Sequence, residues 1–402
     1  MTDRTRIVIV GGGPAGLMAA IAIASTNVPV TLVAQRGQPD NRTTALVASS
    51  VAALGVLGVW DRCRDHAAAL SVMRIVDDTG RLVRGPETRF ESAEIGLDAF
   101  GYNIENRHLV AALQACAGTL PSLTQIDGSV TALAPTAGGV AVTVADGRTL
   151  NAQLVIAADG RRSLCRATAG IEMREQRYPQ SALTLAFAHS RPHDNTSTEF
   201  HTTEGPFTLV PLPGRRSSLV WVMHPRAVEA VRALDEAALA LEIERRAHSI
   251  LGKVSLEGSR GLFPLSSSIA ERFADRRIAL VGEAGHVIPP IGAQGLNLGL
   301  RDAAAIAEIA CDALRLDDDP GAPDVLARYD AARRQDVGRR ALAVDLLNRS
   351  LLTDFLPVQS ARGFGLYLLD RIGPLRRAVM REGVAPAGDL PQLMRGEPLP
   401  SL

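Results

Sequence analysis

The chain has little of several residue types on which common functions depend. Its 402 residues contain one lysine, Lys253, 4% aromatic residues and four cysteines, and 43 basic side chains balance 43 acidic ones. A formal net charge of zero supplies no field that would recruit nucleic acid, so no nucleic-acid partner is expected. The cysteines are far apart and form no C-x-x-C pair, which predicts a reduced protein without a structural metal. Cys165 is expected to be a small packing residue, not a nucleophile.

Long hydrophobic runs are also missing. A membrane-spanning helix needs about 20 apolar residues, and the amino-terminal stretch that comes nearest is interrupted by glycines and a proline at 11–14. A secretory signal peptide is an alternative interpretation of this stretch. Such a peptide combines basic residues, an apolar run and small residues at its end, and the chain has two arginines before the run and Ala24-Ser25 after it. We expect a cytoplasmic protein, with peripheral contact at the inner face of the membrane left open.

What the chain does have is a glycine-rich loop between a buried strand and a helix. Residues 7–10 are an apolar run typical of a parallel strand, and residues 17–24 are helical in character. The loop between them has the G-x-G-x-x-G spacing of a dinucleotide site, in which glycine lets the backbone approach a pyrophosphate at a helix amino terminus. The motif alone does not choose between NAD and FAD. Its candidate binding residues are Gly11, Gly13, Pro14, Ala15 and Gly16.

One part of this fingerprint is absent. An acidic residue about 20 positions after the glycine loop normally bonds the adenosine ribose, but the predicted second strand, residues 30–33, is followed by Ala34 and Gln35. The amide of Gln35 can bond a ribose hydroxyl, and backbone or water can take the same place. The sequence therefore indicates a weaker contact with the ribose, whereas the prediction that the glycine loop binds a pyrophosphate is unaffected.

A second loop rich in glycine and proline occupies residues 281–299. It follows an apolar strand-like run and leads into an amphipathic helix predicted over residues 298–311. Unpaired backbone N–H groups at such a helix start can hold an anion or the electron-rich edge of a reduced flavin. Leu296 and Asn297 are the predicted backbone donors, and Pro290, beside Pro289, forms a wall without an N–H. The other candidates of this loop are Glu283, His286, Gly292, Gln294 and Gly295.

A third motif lies between these two in the sequence. Residues 154–158 form another apolar strand, which ends at Asp159-Gly160 and a basic turn. In this order and spacing, the three motifs resemble those of the FAD-dependent aromatic hydroxylases built like p-hydroxybenzoate hydroxylase, over nearly the whole chain. The resemblance narrows to the ubiquinone-biosynthesis hydroxylases through residues 42–46, 57–60, 101–109, 205–212, 218–221 and 297–303. One position departs from the family, because Glu283 stands where the family has the aspartate of a Gly-Asp motif.

The resemblance implies an α/β fold with FAD as cofactor. It places Arg42 and Arg107 near the pyrophosphate or ribityl chain, with Asp159 and Gly160 as further cofactor contacts. The motif positions predict a discontinuous, Rossmann-like FAD-binding domain of residues 1–70, 100–175 and 260–335. An inserted antiparallel-sheet substrate domain is expected over 71–99 and 176–259, and a helical carboxyl-terminal region over 336–402.

The implied chemistry is hydroxylation of an aromatic ring. FAD is reduced by NAD(P)H or a protein donor, adds O2 to form a C4a-hydroperoxide, and so delivers the hydroxyl group. The substrate that the resemblance implies is a polyprenylated phenol of ubiquinone biosynthesis, and a quinone-biosynthesis complex is an open partner. Two alternatives remain, a hydroxylase of a small soluble phenol in aromatic degradation and a weakly active flavoprotein scaffold of such a complex.

Few side chains are candidates for catalysis itself. Pro290 is one, and His286 is the other, as a proton relay or a nicotinamide contact. A histidine bonded to the loop backbone is the alternative for His286. His189 and His201 flank the predicted substrate sheet and can activate a phenol, but surface positions are favoured for both.

A polyprenyl substrate lies in a bilayer, so the protein must dock on the membrane or receive its substrate from a partner. Residues 362–381 interleave arginines with apolar side chains, a pattern typical of helices that lie on anionic lipid. An ordinary solvated helix that covers the FAD domain is the alternative. The segment includes Arg362, Phe364, Leu366 and Asp370, as well as Arg371, Arg376, Arg377 and Arg381.

Overall fold

The computed structural model describes residues 3–35, 37, 40, 42–81, 84–290, 292–352, 365, 367–369, 371–384 and 390–402. The strands, in chain order, are β1 (Asp3–Val10), β2 (Val30–Ala34), β3 (Thr43–Val47), β4 (Ala67–Ala69), β5 (Val72–Asp77), β6 (Thr88–Glu91), β7 (Gly101–Glu105), β8 (Leu123–Asp127), β9 (Val130–Pro135), β10 (Val140–Val144), β11 (Thr149–Ala157), β12 (Met173–His189), β13 (Thr196–Thr202), β14 (Gly205–Leu212), β15 (Arg216–Met223), β16 (Val254–Ala270), β17 (Ala274–Asp275), β18 (Ile278–Leu280) and β19 (His286–Val287).

The helices surround these strands. In chain order they are α1 (Pro14–Ala24), α2 (Ala48–Val56), α3 (Asn106–Ala117), α4 (Leu164–Ala169), α5 (Pro225–Arg232), α6 (Glu236–Arg246), α7 (Gln294–Arg315), α8 (Pro323–Leu352) and α9 (Gly373–Val384). Single 3-10 turns occur at Trp60–Arg62, Arg64–His66, Ser92–Ile95, Gly282–Ala284 and Gln392–Arg395. Within the described part of the chain, no helix combines the length and the hydrophobicity that crossing a bilayer requires.

A parallel sheet with the strand order β18-β11-β1-β2-β8 carries the glycine-rich loops. Alternate residues of β1 serve two cores: Ile7 and Ile9 pack with α1 and α7, while Val8 and Val10 pack on the other face with the β9–β10 hairpin and α4. Because parallel strands end at the same edge of a sheet, the loops that follow β1, β11 and β18 meet there.

The second large sheet has the order β19-β16-β12-β15-β14-β13-β5-β6. Its pairs are antiparallel except β13–β5. Leu239 and Ile243 of α6 pack with Phe187 and Trp221 of this sheet. A small sheet, β3-β7-β4, is joined to it where Asn103 Nδ2 donates to Pro211 O at 2.9 Å. The chain thus has the mixed α/β fold that its sequence predicts.

Element boundaries differ from the sequence-based expectations in two places. Helix α7 begins four residues earlier than predicted, at Gln294. The sequence of residues 227–251 predicts one helical element, but the structure has two helices there, because Asp235 caps the second one by accepting from Ala238 N at 2.8 Å. Helix α9 begins at Gly373, in agreement with the break that the Gly373-Pro374 pair predicts. The residues Arg362, Phe364, Leu366 and Asp370 lie outside the described part, and the division into domains stays a prediction.

Candidate functional site

The amino terminus of α1 is open to an anion. Gly13 precedes the helix with extended backbone, no side chain of the described residues caps it, and its first turn holds no acidic residue. The backbone N–H groups at such a start have no intrahelical acceptor. A Cβ atom on Gly13 would meet no described atom within 4 Å. The space in front of this helix therefore suits a pyrophosphate.

Two other glycines of this loop are required by the packing of the protein itself. A Cβ on Gly16 would lie 2.1 Å from Gly11 O, and one on Gly11, whose φ is +114°, would lie 2.2 Å from Ala158 O. No side chain fits at these distances, so both positions need glycine for the close approach of β1, α1 and the end of β11. Only Gly13 faces open space among these three glycines.

The three sequence motifs meet at the carboxyl edge of the parallel sheet. Ala158 N donates to Val10 O at 2.8 Å, which places the Asp159-Gly160 turn beside the first glycine loop. On the other side, a Cβ on Gly282 would lie 3.4 Å from Ala15 Cβ. Loops that are far apart in the sequence thus form one site around the amino terminus of α1.

The carboxylate of Asp159 organises its own turn. It accepts hydrogen bonds from Ser163 Oγ at 2.6 Å and from Cys165 N at 3.1 Å, at the start of α4. Gly160 has a φ of +80°, which glycine adopts without strain. Cys165 is fully buried, and this burial raises the pKa of its thiol well above the ordinary value. Cys165 therefore packs, as expected, and does not react.

Charged side chains line the mouth of the site. Glu283 Oε2 lies 3.4 Å from Arg161 Nε, and both side chains are more than half exposed. Arg42 donates to both carboxylate oxygens of Asp40, at 2.7 to 3.1 Å. Asp40 is the main cause of the raised pKa of Arg42, and the charge of Glu283 adds to it. Glu283 and two arginines are therefore close enough to interact at this mouth.

Arg107 occupies a different environment, at the first turn of α3. Its guanidinium donates to both carboxylate oxygens of Glu105 at 3.0 Å. Glu105 is also 3.6 Å from Arg216 NH1 on β15, so this carboxylate joins α3 to the large sheet. The side chain of Arg107 is 46% exposed, and its expected contact with FAD stays a prediction.

The loop after β18 ends in a tight turn that starts α7. Pro289 is buried and Pro290 is exposed, and Gly292 and Ala293 both have positive φ, +69° and +52°. No described side chain caps the helix, and its first turn holds no acidic residue. Since α7 begins at Gln294, the N–H groups without an intrahelical acceptor run up to that of Leu296.

Asn297 acts through its side chain, which sequence reasoning did not foresee. Its Oδ1 accepts from Val47 N at 3.0 Å and from Ser50 Oγ at 2.8 Å. Its Nδ2 donates to Ala45 O at 2.8 Å and to Ala293 O at 2.6 Å. One buried amide therefore fastens β3 and α2 to the turn before α7.

His286 is buried and paired with a carboxylate. Its Nε2 lies 2.7 Å from Asp302 Oδ2, and the two side chains are 1% and 0% exposed. Asp302 also accepts from Gly282 N at 2.9 Å and from Arg333 Nε at 2.6 Å. Burial alone would raise the pKa of Asp302, but Arg333 and His286 hold that pKa below its ordinary value. The alternative that the His286 ring bonds the loop backbone is wrong, because Nε2 is paired with this carboxylate and Nδ1 has no hydrogen-bond partner among the described residues.

A cavity of about 540 Å³ opens beside the first glycine loop, between the ends of β2 and β8. Gly12, Gln35 and Asp127 are among the residues that line it. Ala34 and Asp127 are register partners at the ends of the two strands. Asp127 was missed because the acid was expected after the second strand, whereas it is the last residue of the strand beside it. An acid at the end of a short run that alternates little between apolar and polar residues, Leu123 to Ile126, gives only a weak signal.

The expectation that His189 and His201 lie at the surface is wrong, because both side chains are buried in the large sheet. His189 is 6% and His201 3% exposed. His189 lies 3.0 Å from Ser217 Oγ and 2.7 Å from Arg191 O, so both ring nitrogens have partners. His201 Nε2 lies 2.8 Å from Glu199 Oε1. Polar partners on neighbouring residues allow these imidazoles to be buried.

Comparison with known proteins identifies relatives that bind FAD or are named as hydroxylases. A family model described as an FAD binding domain matches residues 4–344. The chain is 38% identical to ubiquinone hydroxylase UbiL of Rhodospirillum rubrum, over 98% of this chain and 93% of that protein. It is 32% identical to 3-demethoxyubiquinol 3-hydroxylase of Escherichia coli, over 95% and 99%.

A solved structure with the same fold is p-nitrophenol 4-monooxygenase PnpA from Pseudomonas putida. The TM-score is 0.78 at 20% identity, and the match covers 97% of this chain and 100% of that one. The open helix start, the facing Gly13 and the adjacent cavity fit the pyrophosphate and adenosine of FAD. The chain belongs to the FAD-binding family of flavin-dependent hydroxylases, and it is an FAD-dependent aromatic-ring monooxygenase.

Proposed function

We propose that this monooxygenase hydroxylates a polyprenylated phenol in ubiquinone biosynthesis. The observation that carries the proposal is the convergence of the three motif loops at one sheet edge, in a chain whose relatives of similar length are named as ubiquinone hydroxylases. NAD(P)H or a protein donor supplies the electrons, and O2 supplies the oxygen atom. Bound FAD supplies the activation of oxygen, and the protein supplies binding, orientation and exclusion of water.

The residues of the site divide between the parts of FAD. The start of α1, with Gly11, Gly13, Pro14, Ala15 and Gly16, holds the pyrophosphate, and Gln35 and Asp127 bond the adenosine ribose in the adjoining cavity. Glu283 and Arg42 take the ribityl side. The N–H groups of the first turn of α7, up to Leu296, face the pyrimidine ring, and Pro290 walls the reacting edge. Asp159 and Asn297 hold the surrounding turns.

The reaction is tested by deleting the gene and measuring the quinones of the strain. We expect loss of ubiquinone and accumulation of a polyprenylated intermediate that lacks one ring hydroxyl, identified by mass spectrometry. Wild-type protein should restore ubiquinone, while the FAD-deficient Gly13→Val variant should not. Normal ubiquinone together with failure to grow on a soluble phenol would favour a role in aromatic degradation. Restoration of ubiquinone by the Gly13→Val variant would favour a scaffold.

The polyprenyl chain also calls for contact with a membrane, and the segment of residues 371–384, which includes α9, offers a surface for it. Ile372, Leu375 and Val379 are 42%, 41% and 46% exposed although they are apolar. Arg371, Arg377 and Arg381 are exposed on the same segment. We propose that these six side chains, which we name the α9 patch, dock on anionic lipid at the inner face of the cytoplasmic membrane.

Arg376 packs against the rest of the protein and is not part of the α9 patch. Its Nε and NH2 lie 2.7 Å from the carboxylate of Glu94, its guanidinium stacks 4.6 Å from the Phe90 ring, and its side chain is 12% exposed. It fastens α9 to the 3-10 turn Ser92–Ile95. A test of docking must therefore leave Arg376 unchanged.

Liposome co-sedimentation tests the docking. The protein should bind anionic vesicles and not neutral ones, and replacing Arg371, Arg377 and Arg381 by Glu should abolish binding. A matched variant carries Glu at three other exposed arginines, Arg148, Arg174 and Arg232, and should bind like wild type. Equal binding by both variants, or none by wild type, would mean that a partner delivers the substrate.

A further inference from the structure

A mostly buried ionic network between α7 and α8 touches both ends of the loop of residues 282–292. At the first end, Asp302 Oδ2 accepts from Gly282 N at 2.9 Å and lies 2.7 Å from His286 Nε2. At the other end, Gln294 Nε2 donates to Gly292 O at 3.0 Å. Each anchoring side chain is itself held by an arginine of α8.

Charged hydrogen bonds join these two ends without a break. Arg333 Nε donates to Asp302 Oδ1 at 2.6 Å, and its NH1 donates to Asp336 Oδ2 at 2.9 Å. Arg340 Nε donates to Asp336 Oδ1 at 3.1 Å, and its NH1 donates to Gln294 Oε1 at 2.8 Å. We name this path from Gly282 through Asp302, Arg333, Asp336, Arg340 and Gln294 to Gly292 the loop circuit.

The members of the circuit share partners, and they are most deeply buried at the Asp302 end, whereas the side chain of Asp336 is 22% exposed and that of Gln294 is partly exposed. Arg301 adds two further bonds to Asp336, at 3.0 and 2.9 Å. The side chains of Asp302 and Arg333 are 0% and 3% exposed, and that of Arg340 is 12% exposed. Charge-assisted bonds out of water are short and strong, and a buried charge without its partner is costly. Movement of the Gly282 end of the loop would therefore break bonds in the interior, and movement of the Gly292 end would break the hydrogen bonds that run through Gln294.

We propose that the loop circuit is a positioning device for the flavin. It fixes the spacing between the Gly282–Ala284 turn, which carries Glu283, and the start of α7, which carries the N–H groups offered to the pyrimidine ring. The proposal rests on the assignment of this loop to the flavin under the proposed function. Arg340 is then a positioning residue: its described contact with the loop runs through Gln294, and it acts on the flavin only by holding the loop.

The test compares Arg340→Met with Arg339→Met, a neighbouring exposed arginine of the same helix. Holoenzyme of each variant is examined by hydrogen exchange over residues 282–296 and by the reduction potential of the bound flavin. For Arg340→Met we expect exchange about tenfold faster across the loop, as for loss of one charge-assisted hydrogen bond. We also expect a shifted flavin potential, and unchanged exchange over residues 11–16. Arg339→Met should match wild type in all three measurements.

Two results would overturn the proposal, and they differ in what they say. If Arg340→Met matches Arg339→Met in both exchange and potential, the circuit does not hold the loop. If exchange rises while the potential stays at the wild-type value, the circuit holds a loop that does not contact the flavin, and the assignment of that loop fails. If Arg340→Met does not fold, Arg340→Lys keeps the charge beside Asp336 but offers one ammonium to two acceptors, and the same comparison is made with it.

Discussion

Gly13 allows the binding of FAD to be separated from the stability of the fold. Its backbone has φ −71° and ψ 172°, an extended conformation that valine adopts freely. A Cβ there meets no described atom within 4 Å. Gly13→Val should therefore change the unfolding free energy of the apoprotein by no more than about 1 kcal/mol, the cost of a poorer N-cap residue at the start of α1.

The same substitution should strongly weaken FAD binding. The valine side chain occupies the space in which the pyrophosphate approaches the start of α1. Loss of even one hydrogen bond to a charged phosphate costs about 1.5–3 kcal/mol, which corresponds to about 10- to 150-fold in Kd. We expect purified Gly13→Val to be mostly colourless apoprotein, whereas wild type is yellow and releases FAD and not FMN.

Two further glycines serve as controls, with urea unfolding and FAD titration as the assays. Gly16→Ala puts a Cβ 2.1 Å from Gly11 O, so the backbone must shift, and the fold should lose at least about 1–3 kcal/mol. Gly138→Val fills open space in the β9–β10 turn and should change neither quantity. Full FAD occupancy in Gly13→Val, or a loss of stability like that of Gly16→Ala, would refute the reasoning.

Substitutions at three other residues test further parts of the site. Glu283→Gln should weaken FAD binding by about 1–3 kcal/mol and Glu283→Asp should not; equal loss in both would show that the carboxylate has another role. Burial would raise the pKa of Asp336, but Arg301 and other arginines lower that pKa from 3.8 to about 2. The ionised carboxylate therefore adds about 2 kcal/mol to the free energy of unfolding. This contribution is present above pH 4 and is lost as the pH falls toward 2. Urea unfolding of Asp336→Asn should therefore show a shallower acid dependence, and an unchanged slope would contradict this. Asn297→Asp removes the donor to two carbonyls and should lower the unfolding free energy by about 1–3 kcal/mol for each; a wild-type melting temperature would contradict it.

The glycine loops could be predicted from sequence because their requirements are local. A close approach such as that at Gly11 excludes every side chain, so the need for glycine is visible in the sequence itself. Hydrophobic runs predicted the parallel strands for the same reason, since residues buried on both faces of a sheet must be apolar. The order of the motifs then supplied the fold class and the cofactor.

The partners of polar side chains could not be predicted, because they lie far away in sequence. Asp302 is sixteen positions from His286, but its second partner, Arg333, is on another helix. Asp127 reaches the cavity only because β8 lies beside β2, and strand order in space cannot be read from strand order in the chain. His189 and His201 were misjudged for a similar reason, as the groups that satisfy them become visible only when the sheet is assembled.

The arginines around α9 show what an amphipathic pattern leaves undecided. Arg376 and Arg377 are adjacent, and the sequence offers both equally to lipid. In the fold, Arg376 donates to the carboxylate of Glu94 and stacks on the Phe90 ring, whereas Arg377 is exposed. A segment that packs through one arginine and exposes three others can keep its position on the protein while its exposed arginines meet lipid phosphates. Replacing Arg376 by Glu should therefore lower the melting temperature, and replacing Arg377 should lower only the fraction bound to anionic liposomes. If both substitutions reduced binding equally at an unchanged melting temperature, the division of labour along this helix would be wrong.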